Sequence, residues 1–198
     1  MNIQEYEKVK DLNYLQYCDY LQKKYGIGLA AYFTKNWSKN KKCTRTKDGL
    51  IAHHKYEDHA ILLADVNHAK NNPYEWQLPQ NIVYCDYLEH LFLHILICEN
   101  PSPDHNTNEV VGIGGVINYL VPELNDLYSG WVTSQEWRTK CHALVINDKI
   151  VYLTLLARFK NNFPYHKDLL TSYNERFGTW SKDKNKTLFK EIELLWLI

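Results

Sequence analysis

Two short stretches of this 198-residue chain hold the residue types best suited to chemistry. The first, Asp48-Gly49-Leu50-Ile51-Ala52-His53-His54, ends in a histidine doublet. The second opens at Asn81 and carries His90 and His94, four residues apart in an apolar run. On a helix that spacing projects two imidazoles from one face, one turn apart. Imidazoles held in this way can reach one divalent cation at ~2.0–2.1 Å. A third ligand must then come from elsewhere in the chain, and the His53-His54 pair is the obvious donor. A cation so held is a Lewis acid and a template for hydrolysis. A neutral imidazole, with a pKa near 6.5, can take a proton from water at neutral pH. If the doublet lies on a strand, its two side chains take opposite faces. One of them then coordinates and the other is free to act as base.

The elements that must position these residues can be read from periodicity and punctuation. Glu5 to Tyr25 has helical apolar spacing (Val9, Leu12, Leu15, Tyr20-Leu21) and is stopped by Gly26 and Gly28. Leu29 to Phe33 is a short apolar and aromatic run, a helical turn or a strand. Asp48-Gly49 is a turn signal, and Leu50 to Lys55 reads as a strand leading out of it. The polar stretch from Glu57 to Gln80, broken by Pro73 and Pro79, is loop with a short helix near Asp65 to Lys70. Asn81 to Cys85 reads as a second strand. Asp86 to Cys98 reads as a helix whose first carboxylate suits the dipole, and Asn100-Pro101-Ser102-Pro103 stops it. Further helices are expected near Val116–Leu127, Ser134–Asn147, Ile150–Phe159 and Lys186–Leu195. Gly112-Ile113-Gly114-Gly115 lacks the phosphate-loop pattern and reads as a tight turn before a helix.

Composition narrows the class. The chain is 45% hydrophobic and 23% charged, ordinary for a globular protein, with 15 tyrosines. Its length suits one domain spanning residues 1–198. Five scattered cysteines without a C-x-x-C pair argue against both a disulfide framework and a cysteine-ligated zinc. No apolar run reaches the ~18 residues of a membrane span, and Met1 to Lys10 carries no signal-like apolar region. The expectation is a reduced, cytoplasmic protein.

Net charge is zero, yet the charges are not evenly spread. Lys35, Lys39, Lys41, Lys42, Arg45 and Lys47 fall in a stretch from Ile27 to Lys47 that has no acidic residue. Trp37 lies among them. Such a segment can neutralise several phosphates and stack on a base, or it can be a solvated loop. Its place just upstream of His53-His54 favours the first. The Lys182–Lys190 stretch is basic but mixed with Asp183 and Glu191. Trp131, Trp137, Trp180 and Trp196 read as core or lid aromatics. His59, His68, His105, His142 and His166 show no partner spacing and read as surface or core histidines.

The run from Leu50 to His94 resembles the HNH family of His-Me finger nucleases. That pattern has a His or Asp followed by His at the end of one strand and an Asn opening the next. Metal-binding residues then follow nine and thirteen positions later on a helix. His53-His54, Asn81, His90 and His94 fit each element. The connection between doublet and asparagine is longer than in the family, and the cysteine pairs of many members are missing. The resemblance implies an α+β, mostly α fold: a ββα-metal core at about residues 45–98, wrapped by helical flanks at 1–33 and 116–198. It assigns His53, His90 and His94 to one divalent metal ion, His54 as general base, and Asn81 as the residue that holds the inter-strand loop and orients that base.

Three neutral imidazoles favour Zn, Ni or Mn, while the family also includes Mg users. Asp58, Asp86 and Glu89 are the carboxylates to watch behind the ligands. The expected function is a metal-dependent endonuclease of the phage, restriction or toxin kind. It would cut DNA in preference to RNA, and symmetric cutting of both strands calls for a homodimer. The rival is a binding protein that keeps this scaffold to grip and inhibit a nuclease or defence complex.

Overall fold

The computed structural model describes residues 1–163, 170–171 and 182–195. Trp180, Trp196 and His166 fall outside the described residues. The chain is mostly helical, with one two-stranded antiparallel sheet. Strand β1 (Ile51–His54) pairs with β2 (Ile82–Cys85) in the register Ile51 to Cys85 and His54 to Ile82. Helix α4 (Tyr87–Glu99) follows β2 directly, and its N-terminus is a capping box. Asp86 accepts from the Glu89 N–H while the Glu89 carboxylate accepts from that of Asp86. Both carboxylates are therefore spent on the helix start. Asp86 also takes the Met1 ammonium, and Glu89 takes Lys24 at 2.7 Å.

Apart from Glu89, His90, His94 and the terminal Glu99, helix α4 is apolar, and Leu88, Leu91, Phe92, Leu93, Ile95 and Ile97 are fully buried. A helix of that kind must be enclosed on every side. Around it lie α1 (Ile3–Val9), α2 (Tyr14–Tyr25), α5 (Val121–Tyr128), α7 (Lys149–Asn162) and α8 (Lys182–Leu194), with α6 (Glu136–Ala143) tied to α5 by Arg138 and His142 on Glu123. The short α3 (Val66–Ala69) lies in the inter-strand connection, capped by Asp65. Arg158 of α7 grips the Glu99 carboxylate at the end of α4 with two bonds of 2.7 Å.

Three stretches depart from the periodicity reading. Leu29 to Phe33 forms neither a helical turn nor a strand, only a single bridge from Phe33 to Lys39. The expected single helix from Glu5 to Tyr25 is two, α1 and α2, because Asn13 starts a fresh capping box with Gln16. The Gly112–Gly115 segment does form a turn, with Gly112 at φ 85°. It leads into a π-helical stretch, Gly115–Leu120, before α5 begins. All five cysteines are buried and unpaired. No described helix is long and apolar enough to cross a membrane.

Candidate metal centre

Strand β1 and helix α4 bring the expected ligands together. The His90 Nε2 atom lies 3.1 Å from His53 Nδ1 and 3.1 Å from His94 Nε2. A fourth group, Glu57, completes the cluster. Its Oε2 lies 3.6 Å from His53 Nδ1 and 3.4 Å from His94 Nε2. A tetrahedral ion with ~2.0–2.1 Å bonds separates its donors by about 3.3–3.4 Å. The cluster's edges fall close to that on every measured side, so His53, Glu57, His90 and His94 can hold a metal ion.

The electrostatics suit a cation. With the His53 proton on Nε2 toward Tyr14, His53 Nδ1 presents a bare lone pair to the cluster, and His90 Nε2 can offer a proton to only one of its two nitrogen neighbours, so a cation suits the remaining lone pairs. Burial pushes His53 down to about 3, with Glu57 opposing and His94 and His54 adding to the shift. Burial also lowers His90 and His94. The three rings are thus neutral at neutral pH, the form that ligates. Burial opposes ionisation of Glu57, and its carboxyl is held low only to the extent that a positive charge, on a facing ring or on a bound cation, lies in the cluster.

Helix α2 supplies a support that the sequence did not announce. The Tyr14 hydroxyl lies 2.8 Å from His53 Nε2 and 3.3 Å from the His54 and Lys55 carbonyls. With Nδ1 in the cluster, His53 Nε2–H donates to this hydroxyl, which donates in turn to a carbonyl. The ring's tautomer and tilt are fixed together. On the other side Gly115 leaves room for the His94 ring, since a Cβ there would fall 2.3 Å from His94 Cε1 and Nδ1.

His54 and Asn81 are placed differently from the expectation. His54 is fully buried, with Nε2 on the Gln77 Oε1 at 2.9 Å and Nδ1 facing Glu57 Oε1 at 3.5 Å. The ring of Tyr32 covers it at 4.5 Å. A base needs contact with the water it deprotonates, and here both ring nitrogens face protein groups. Asn81 does hold the inter-strand loop, donating to the Glu75 carbonyl at 2.7 Å, while its backbone carbonyl accepts from Lys55. It does not orient His54, since that contact belongs to Gln77.

Glu57 is the carboxylate of the cluster, in place of the Asp58, Asp86 and Glu89 that the sequence pointed to. Asp58 turns to His59 at 2.6 Å, and the other two cap α4. The available signal was an acid four residues after His53. His142 is a core histidine paired with Glu123 at 2.6 Å, while His68 pairs with Asp65 at the surface.

The basic segment lies against the His54 side of the cluster. Lys35, Lys39, Lys41, Lys42 and Lys47 are exposed, and the Lys39 ammonium sits 5.2 Å over the Tyr32 ring. Arg45 is structural, bonding Asp48 at 2.9 Å and the Tyr25 carbonyl at 2.6 Å. Trp37 is half-buried, edge-on to Tyr74 at 5.6 Å and beside Phe33, so it braces the segment. In the carboxy-terminal half, Trp137 is exposed and Trp131 half-buried, with the Arg138 guanidinium over both rings. Comparison with family models, with curated proteins and with solved structures finds no match, so the residues and their geometry carry the functional argument.

Proposed function

We propose that this chain is a metal-dependent nuclease that hydrolyses phosphodiester bonds, with DNA the first substrate to test. The observation that carries the reading is the convergence of three imidazoles and a carboxylate at tetrahedral spacing on a strand and a helix. The order of strand, strand and helix, and the HNH-like spacing of the ligands, support it. A divalent cation bound there would polarise a phosphoryl oxygen and stabilise the leaving oxygen. Zn, Ni and Mn suit the imidazoles, and the added carboxylate widens the set toward Mg. His53, His90 and His94 hold the ion, and Tyr14 fixes the His53 ring. Glu57, 15% exposed where His54 is fully buried, is the carboxylate of the cluster that solvent reaches, and it accepts a hydrogen bond from the attacking water and orients it. The exposed lysines from Lys35 to Lys47 bind the phosphate backbone.

One observation favours a second reading. Four donors, with His53 0% and His94 6% exposed, resemble a closed structural site more than an open catalytic one. The ion would then brace the strand pair against α4, and the molecule would serve as a binding scaffold. A plasmid-nicking assay with Mg, Mn, Ni and Zn separates the two. The nuclease reading expects metal-dependent nicking that Glu57→Gln abolishes even at metal concentrations raised until its site is loaded. The structural reading expects no nicking by the unmodified protein and a fall in Tm when metal is removed.

A further inference from the structure

Two fully buried polar side chains beside the cluster carry an unresolved conflict. Both His54 and Gln77 are 0% exposed. The Gln77 Oε1 faces His54 Nε2 at 2.9 Å, which obliges that nitrogen to carry the ring's proton. The opposite nitrogen, Nδ1, then turns a lone pair toward Glu57 Oε1 at 3.5 Å, and it has no hydrogen-bond partner. The Gln77 Nε2 has none either. Buried polar groups left without partners are costly, so an unpaired acceptor and an unpaired donor on one linked pair of side chains point to a different hydrogen assignment.

One exchange pairs the Gln77 Nε2 and directs His54 Nδ1 at a carboxylate, leaving the turned Gln77 Oε1 as the single orphan. The amide O and N of glutamine have nearly the same shape, and which is which follows from the network around them. Turning the Gln77 amide over lets Nε2–H donate to His54 Nε2. The imidazole proton then moves to Nδ1 and is directed at Glu57 Oε1. The other carboxylate oxygen, Oε2, faces His53 Nδ1 and His94 Nε2. The Gln77 backbone is itself held, since its carbonyl accepts from the Tyr32 N–H at 2.8 Å, and the Tyr32 ring stands edge-on to the His54 ring at 4.5 Å.

We propose that Gln77 and His54 form a positioning relay, Gln77 Nε2–H to His54 Nε2 and His54 Nδ1–H to Glu57 Oε1, that aims the Glu57 carboxylate into the His53/His90/His94 cluster. His54 is on this account a positioning residue acting through Glu57. The inference rests on the reading of the cluster as a divalent-cation site, and it holds whether Glu57 bonds the ion or acts on it through charge. A carboxylate aimed into the cluster raises cation affinity in either case, and residues that orient a metal site in this way typically cost 10–100-fold in affinity when lost.

The test has two parts on the full chain. Long-range proton–nitrogen NMR of the Zn-loaded protein reads the His54 tautomer directly, and protonated Nδ1 with bare Nε2 is expected. Chelator competition then measures Zn affinity for the unmodified protein and for Gln77→Met, which keeps the side chain's length and removes its donor. An affinity loss of about 10–100-fold is expected. A His54 ring protonated at Nε2, or a Gln77→Met protein that binds Zn as the unmodified one does, overturns the relay and leaves the metal site standing. Failure of the unmodified protein to bind Zn, Ni or Mn overturns both.

Discussion

Gly115 offers the most direct probe of the centre, because its requirement is one of space alone. Its φ lies outside the left-handed region, so alanine meets no backbone penalty there. A Cβ at this position would lie 2.3 Å from His94 Cε1 and Nδ1 and 2.6 Å from Cγ. Ordinary carbon contacts begin near 3.5 Å, so the ring or the π-helical turn must retreat by about 1.2 Å. Metal–ligand distances tolerate only ~0.2 Å. Overpacking of this kind costs about 1–3 kcal/mol. If the ring rather than the helix gives way, that cost falls on the metal. At 1.4 kcal/mol per tenfold, Gly115→Ala is expected to weaken metal binding by about 5- to 150-fold. Gly114→Ala is the control, because its Cβ would meet nothing nearer than the Asn118 side chain at 3.6 Å. Chelator competition with Zn and Ni, run beside thermal unfolding of the metal-free proteins, separates lost affinity from lost stability. Equal metal affinity for Gly115→Ala, Gly114→Ala and the unmodified chain would refute the reasoning.

Tyr14→Phe removes the hydroxyl on His53 Nε2, and metal affinity is expected to fall at least tenfold with a stability loss of about 1 kcal/mol; a protein that differs only in Tm would make Tyr14 a packing residue. Metal-free protein is expected to lose stability as pH falls from 7.5 to 5.5. His53, His90 and His94 are lowered by burial, so the unfolded chain binds protons below pH 6.5 that the folded chain refuses, at up to about 1 kcal/mol per group and pH unit. Glu89, lifted by burial and then by Asp86 to about 7, pulls the other way but is one group against three. Urea titrations at three pH values check this, and a flat profile counts against neutral, buried rings. Neutralising Lys39, Lys41 and Lys42 together is expected to flatten the salt dependence of DNA binding by about two to three units of log–log slope. Arg45→Ala is expected to lower Tm instead, because Arg45 bonds Asp48 and the Tyr25 carbonyl. An unchanged slope in the lysine variant would move the search for a nucleic-acid surface elsewhere.

What could be read from the sequence was local. His90 and His94 needed only helical spacing, and Asp86 needed only to stand before an apolar run. The two strands were visible from turn signals and short apolar runs. The break between α1 and α2 was written in Asn13 and Gln16, but apolar spacing running through it hid the cap. Glu57 lies on a turn, where i,i+4 spacing carries no periodic signal. Tyr14 and Gln77 reach the doublet from 39 and 23 residues away, and only the closed fold brings them there. Gly115 was read as a turn residue, since nothing in a glycine's neighbours tells which ring it makes room for.

The long connection between the two strands has a kinetic consequence. His53 stands 37 residues from His90, while His90 and His94 are neighbours on one helix. Closing a loop of that length costs roughly 3 kcal/mol of chain entropy, whereas a helix forms from contacts close in sequence. The α4 half of the centre is therefore expected to assemble before the β1 half. An ion caught by His90 and His94 would wait as a tether for the incoming strand, so the metal would act on the rate of folding as well as on its end point.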